Sequence, residues 1–415
     1  MRVAIVYPRG NVDSVPSLVG AAEMLAEAGY DVDLYTYLQA GQTAPIFVSP
    51  RVHVRPLGVE GLADHSTAAL RGVVKRASWL PGVARAPLAR TYRALGAGLA
   101  GGTRLAARAR SAGQARGEPL VCAIGVDPDG LTLAHRLARG APVGYYSLEL
   151  LLSSELTTAA EVQLKARERE LSQLADFVVV QDEDRGRLLA DDNAIPWERM
   201  LLVPNAPPGP ARRQPARYWH ERFGLAPDAR LVIHSGSLGD WTGIDKIVGS
   251  AGDWPPPWTL VIHTRYDAES SAYVEQLRRH ADPRRVVFSL KPVPRQEYAV
   301  LLDGADVGVA FYVPNAGSAF TQRNVETIGL SSGKLAYYLR AGLPVVVNRG
   351  ASIADPLERA GAGLAVRDAR EIGPALNRLA ADYDRFSDSA RRFFTERLDF
   401  RHAFADVVRR VDRLR

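Results

Sequence analysis

Short apolar runs recur along the chain, with helix-like segments between them. Val3–Tyr7 is such a run, the pattern of a parallel strand buried on both faces. Pro8, Gly10 and Asn11 then make a loop. From Ser17 to Ala28 the residues Leu18, Ala21, Ala22 and Leu25 follow helical spacing, and Gly29 ends the helix. Asp31–Thr36 reads as a second strand. Strand, helix and strand in this order predict a parallel, doubly wound sheet. Further strands are expected at His53–Pro56, Leu120–Gly125, Val143–Ser147, Phe177–Gln181 and Met200–Val203.

Residues 206–217 read APPGPARRQPAR, four prolines and a glycine in twelve residues, which suits a linker. The pattern then restarts. Strands are expected at Leu231–Ser235, Leu260–His263, Val286–Ser289, Val307–Ala310 and Val345–Val347, with helices beginning near Gly243 and Ser271. The fold class is therefore α/β: two Rossmann-like domains, 1–205 and 218–398, facing across a cleft. A final helix, about Arg401–Leu414 within 399–415, is long enough to pack back toward the first domain. In open α/β sheets ligands bind at the carboxyl ends of the strands, so the loops after each strand are the place to look.

Composition narrows the class. Apolar residues make up 47% and charged residues 24% of 415, which excludes a disordered or disulfide-stapled chain. Cys122 is alone, and no Cys/His spacing suits zinc, so no metal is expected. No basic region precedes an apolar stretch at the start, and no apolar run spans a bilayer, so the expectation is a cytoplasmic protein. The charge distribution adds one feature. From His65 to Gly117 there are ten cations and no acid; taking ten from a net charge of +6 leaves the rest of the chain at −4. Mixed with Leu, Val, Ala and Trp79, and broken at Pro81, Pro87 and Gly101–Gly102, this segment reads as a basic helical insertion. It fits an anionic membrane surface at the inner face or a lipid-linked acceptor. A solvated basic face is the alternative, and nucleic acid is not expected because stacking aromatics are few.

The strongest site signal is Gly329-Leu330-Ser331-Ser332-Gly333-Lys334, leading straight into a helix. Small residues at a helix N-terminus expose backbone N–H groups and the positive end of the dipole, and Lys334 adds a charge. The pattern suits a phosphate group; the plainer alternative is an ordinary cap at Ser332 with Lys334 in solvent. The spacing is not that of a Walker A loop. After the strand at Val143–Ser147 comes Glu149, placed to orient an acceptor hydroxyl or take its proton. Asp127 and Asp129 follow the strand ending at Gly125; they suit sugar hydroxyls, although Asp129 as a helix cap is favoured. Arg265 ends another strand and is in reach of a phosphate. The remaining histidines are expected to be structural.

Several segments together resemble the retaining GT-B glycosyltransferases of family 4. They are Ala175-Asp176-Phe177-Val178-Val179-Val180-Gln181, Val203-Pro204-Asn205, Ser235-Gly236-Ser237-Leu238 with Trp241 and Gly243, Gly304-Ala305-Asp306-Val307, and Gly333–Pro344. The resemblance covers almost the whole chain except 60–117. It implies a GT-B fold and metal-independent transfer of a sugar from a nucleotide-diphosphate donor, with retention, to an acceptor hydroxyl, without a cofactor. It places Ser331, Ser332, Gly333, Lys334, Gly10 and Arg265 at the donor diphosphate, and Ser237, Lys291, Pro292 and Tyr337 at the nucleotide. Asn11, Asp127 and Tyr146 fall on the acceptor side, and Glu149, Lys334 and Glu326 are the implied catalytic residues. There are departures. The family's acidic pair falls at Gly329 and Tyr337, its basic pair at Ser237 and Thr242, and its histidine is absent from the segment ending at Glu149. Glu326 is the nearest acid to replace the pair. A non-catalytic GT-B partner protein and a GT-B sugar-nucleotide epimerase stand as the alternatives.

Overall fold

The computed structural model of the protein describes residues 1–38, 44–59, 119–314 and 322–415. The basic insertion 65–117 lies outside the described residues. Thirteen strands form two sheets among the described residues. The first comprises β1 (Arg2–Tyr7), β2 (Asp31–Leu38), β3 (Val52–Val59), β4 (Leu120–Val126), β5 (Val143–Tyr146), β6 (Phe177–Val180) and β7 (Met200–Leu202). Their order across the sheet is β3-β2-β1-β4-β5-β6-β7. The second comprises β8 (Arg230–Ser235), β9 (Trp258–His263), β10 (Val286–Ser289), β11 (Val307–Ala310), β12 (Val345–Asn348) and β13 (Gly363–Val366), in the order β10-β9-β8-β11-β12-β13. Every strand pair is parallel.

Both sheets are therefore doubly wound, as the alternation of apolar runs and helical segments predicts. Strand order reverses direction between β1 and β4 in one sheet and between β8 and β11 in the other. Such points leave a crevice outside the carboxyl ends of the strands. The interiors of the strands are buried, Val3–Tyr7, Phe177–Val180 and Trp258–His263 throughout. One strand was missing from the sequence reading: β13. Its four residues, Gly-Leu-Ala-Val, follow Gly361 and Ala362, and so short a run of small residues carries no strand signature of its own. It is fixed by pairing with β12, Val345 opposite Gly363 through Asn348 opposite Val366.

The linker does not hang free. Arg212 N–H donates to the Arg340 carbonyl at 2.8 Å and Ala216 N–H to the Asp303 carbonyl at 3.0 Å, so residues 212–216 lie along the second domain. The last helix, Phe400–Asp412, returns to the first domain and buries Phe400, Phe404, Val407 and Val411. It crosses the helix Pro16–Glu27 at Gly20, where a β-carbon would sit 2.5 Å from the Phe400 ring. Tyr30 Oη donates to Asp412 at 2.6 Å at the far end. No described helix is long and apolar enough to cross a membrane.

The first crevice depends on a close approach. After β4 the chain turns immediately into the helix Asp127–Ala138, and Asp127 adopts φ +57° to make the turn. A β-carbon on Gly125 would lie 2.4 Å from Leu131 Cα and 2.6 Å from its backbone nitrogen. Backbone cannot yield as a side-chain tip can. Gly125→Ala is therefore expected to lower stability by about 1–3 kcal/mol or more, seen as a drop of several degrees in thermal denaturation. An unchanged melting curve would refute this packing.

Candidate functional site

The first group of candidate site residues is built on the helix Gly333–Arg340. Ser332 caps it: its Oγ accepts from Leu335 N–H at 3.2 Å and meets Tyr312 Oη at 2.5 Å. Gly333 packs against the first domain, where a β-carbon would lie 3.2 Å from Pro16 Cγ. The side chain of Lys334 runs over Gly236, whose absent β-carbon would be 3.1 Å from Lys334 Cε. Its Nζ ends 3.2 Å from His234 Nε2, at the carboxyl end of β8. Arg265 comes in from the end of β9. Its guanidinium lies over the rings of Tyr298 and Tyr337, 4.7 and 5.2 Å from their centres. It donates to Tyr298 Oη at 3.0 Å and, across the cleft, to the Ser14 carbonyl at 2.9 Å.

Neither cation has an ion-pair partner among the described residues. Burial, and then the charge of Arg265, pull the Lys334 ammonium down to about 7. Burial and Lys334 hold the His234 ring neutral, well below the usual histidine range. Two cations crowded together without an acid form a local excess of positive charge at a helix N-terminus, which is the electrostatic description of an anion site.

The second group sits on the first sheet. Asp127, 2% exposed, accepts from Leu148 N–H at 2.9 Å and Glu149 N–H at 3.0 Å through Oδ1. Its Oδ2 lies 3.3 Å from Arg9 Nη2 in the loop after β1. Asp127 thus ties the loop after β5 to the loop after β1. Glu149 sits on that loop, half-buried. Burial, reinforced by the negative charge of Asp127, raises its carboxyl to about 7, with Arg185 and Arg9 opposing. A carboxyl poised near 7 can take or give a proton at neutral pH.

Arg185 joins the two groups. It is buried, donates through Nη2 to the Leu148 carbonyl at 2.8 Å and to Asn324 Oδ1 at 2.7 Å, and so bridges the domains. Asn324 in turn exchanges hydrogen bonds with the Leu150 backbone, at 2.7 Å from its N–H and 2.8 Å to its carbonyl. Asp182 accepts from Leu330 N–H at 2.9 Å. Asn205 donates through Nδ2 to the Ser331 carbonyl at 2.9 Å and accepts from Ser17 Oγ at 2.8 Å. The loop carrying Lys334 is therefore held by side chains of the first domain.

Several expected roles change. The Ser331 hydroxyl and N–H both donate to the Ile328 carbonyl, at 2.6 and 2.8 Å, so the phosphate donors of that turn are not to be sought on Ser331. Tyr146 is 1% exposed and belongs to the core with Ile5, Leu18 and Val179; its place in a fully buried strand keeps it from the acceptor side. Asp129 does not cap the helix, which begins at Asp127 without a side-chain cap. Lys291 is 60% exposed and pairs with Glu269 at 3.2 Å, and Pro292 beside it is exposed. Glu326 is held within its own short helix by Gln322 Nε2 at 2.8 Å and Arg323 Nη1 at 2.9 Å. Ser237 is exposed, its carbonyl 3.3 Å from His234 Nε2, and Tyr337 stands edge-on to Tyr298 at 4.8 Å. Gly10 lies next to Arg9, and the exposed Asn11 accepts from Tyr7 Oη at 2.8 Å. Arg9, Asp182, Arg185, His234 and Asn324 were missed. Their partners lie far away in sequence, 139 residues for Arg185 with Asn324 and 100 for His234 with Lys334, so no local pattern marks them. Among the described residues no group of three His, Cys, Asp or Glu side chains could hold a metal ion.

Residues 324–398 match the family model described as "Glucosyltransferase 3-like, C-terminal domain". That span begins at Asn324 and contains Lys334. No curated protein matches the chain. Among solved structures, sucrose-phosphate synthase from Thermosynechococcus elongatus superposes with a TM-score of 0.68 at 14% identity, covering 100% of this chain and 99% of that one. HepE of Anabaena in complex with UDP-glucose gives 0.65 at 13% identity, with 100% of each chain covered. The UDP-forming trehalose-phosphate synthase of Burkholderia xenovorans in complex with glucose-6-phosphate gives 0.60 at 16%, covering 99% and 100%. The two-domain Rossmann-like architecture is the GT-B fold of these structures.

Proposed function

We propose that the chain transfers a sugar from a nucleotide-diphosphate donor to an acceptor hydroxyl, with retention and without a metal ion. The observation that carries this reading is the pair Lys334 and Arg265, crowded at the N-terminus of the helix Gly333–Arg340 with no carboxylate beside them. As the bond to the sugar breaks, negative charge builds on the leaving diphosphate. Lys334, Arg265 and the first N–H groups of the helix meet that charge in place, without reorganising. Retention follows the resemblance to the retaining family. HepE was solved with UDP-glucose, which makes a uridine nucleotide the first donor to test. On the other side Glu149, fixed through Asp127, receives or orients the acceptor hydroxyl. The wider expectation of a lipid-linked acceptor and membrane contact rests on the cations of 65–117.

The pH dependence follows from the two shifted groups. Glu149 acts as a base only when ionised, so turnover rises with pH through about 7. Lys334 stabilises the leaving group only when protonated, and its lowered pKa makes donor affinity decline as pH rises above about 7. A bell-shaped profile centred near neutrality is expected. Lys334→Ala is expected to weaken UDP binding by about 10–150-fold, a charge-assisted contact, and to flatten its decline above neutrality. Glu149→Gln is expected to lower turnover by about 10²–10⁴-fold while UDP affinity holds. Calorimetric titration and steady-state kinetics check both. UDP bound equally well by Lys334→Ala removes the diphosphate reading.

The membrane reading has a separate test. The protein is expected to co-sediment with anionic vesicles and not neutral ones, and to be released by salt, because the attraction is electrostatic. Reversal of Arg71, Lys75, Arg76 and Arg85 to Glu is expected to abolish pelleting. Wild-type protein that ignores anionic vesicles at low salt refutes membrane contact.

A further inference from the structure

Both cations of the donor corner are held by neutral acceptors. Arg265 donates to a tyrosine hydroxyl and a backbone carbonyl. Lys334 Nζ lies 3.2 Å from the ring nitrogen of His234. His234 is fully buried on β8, with no solvent to hydrate it. Its Nδ1 makes no hydrogen bond, the Ser237 carbonyl also stands 3.3 Å from Nε2, and the only charged group pressing on the ring is Lys334. An ammonium has three hydrogens and no lone pair, so the contact requires His234 to supply the lone pair. The lysine contact is made when Nδ1 carries the ring proton and Nε2 accepts, the Ser237 carbonyl then receiving nothing from the ring. A protonated ring would instead place two cations in contact in a buried corner. The Gly236 backbone at φ +140° leaves room for the lysine chain to reach this position.

We propose that His234 is a positioning residue for Lys334, a neutral imidazole that accepts one ammonium hydrogen and leaves the other two, with the full positive charge, for the diphosphate. The inference rests on the donor reading of Lys334 given above. A carboxylate at the same place would fix the lysine equally well, but it would neutralise the charge and repel the diphosphate. A neutral acceptor fixes direction without competing for charge. The lysine stem, with its many rotamers, would otherwise have to be ordered by the ligand itself, at a loss of affinity.

Glutamine and asparagine separate this role from mere core filling. Both are neutral and polar, but only glutamine extends an acceptor oxygen to where Nε2 stands. The experiment measures binding of UDP and of inorganic pyrophosphate by calorimetry to the wild type, His234→Gln and His234→Asn, each also in a Lys334→Met background. Melting temperatures are followed in parallel. His234→Gln is expected to stay within about threefold of wild type, and His234→Asn to lose about tenfold, the scale of one hydrogen bond to a charged group. In the Lys334→Met background the two variants are expected to agree within about twofold, because the partner is gone. Asparagine and glutamine variants that bind alike with Lys334 present overturn the positioning role, as does an equal loss in both backgrounds. If Lys334→Met itself leaves binding intact, or the wild type binds neither probe, the donor reading fails first and this inference with it.

Discussion

Lys334 and Arg265 repel each other in a corner where neither is neutralised by an acid. Positive charges are ordinarily buried only when paired. Here the helix N-terminus adds further positive potential, and the acceptors around the pair are a histidine lone pair, a tyrosine hydroxyl and a carbonyl. The free protein therefore carries an electrostatic strain at this corner, which the proposed diphosphate would relieve. The lowered lysine pKa is the same strain expressed in protons: burial and Arg265 make the corner hold a positive charge reluctantly.

The rest of the architecture serves to bring that corner against the first domain. The crossing of the last helix at Gly20 and the bonds from Asn205, Asp182 and Arg185 all join the second domain to the first. Arg185 is the most telling of these. It reaches Asn324 on one side and the Leu148 carbonyl on the other, one residue before Glu149. The loop that carries Glu149 and the segment that leads to Lys334 thus share a buried cation, so the two are placed relative to one another by a single side chain.

The two sheets were legible because a strand buried on both faces must be a continuous apolar run, and such runs stand out between helices. The start of the helix Gly333–Arg340 was legible because small residues running into a helix have a purely local meaning. That same continuity hid other things. In a fully buried strand both faces are apolar, so nothing in Tyr145-Tyr146 marks Tyr146 as core and the following turn as cleft. The strand β13 is too short and too small in its side chains to show before its neighbour β12 exists. His234 reads as one more residue of an apolar strand, and Arg185 as one more surface cation of a helix. Their roles come from partners more than 90 residues away, which only the folded chain brings near.

The central claim is that the Lys334 ammonium is held at a depressed pKa by a corner awaiting a diphosphate. The chain has five lysines, Lys75, Lys165, Lys246, Lys291 and Lys334, so side-chain carbon-13 labelling of lysine gives five resonances, and Lys334→Met assigns the one in question. The direct measurement is the titration of that resonance with and without UDP. A midpoint near 7 in the free protein, moving upward when UDP binds, is the predicted result. A midpoint at the ordinary lysine value of 10.5, unmoved by UDP, would contradict the account.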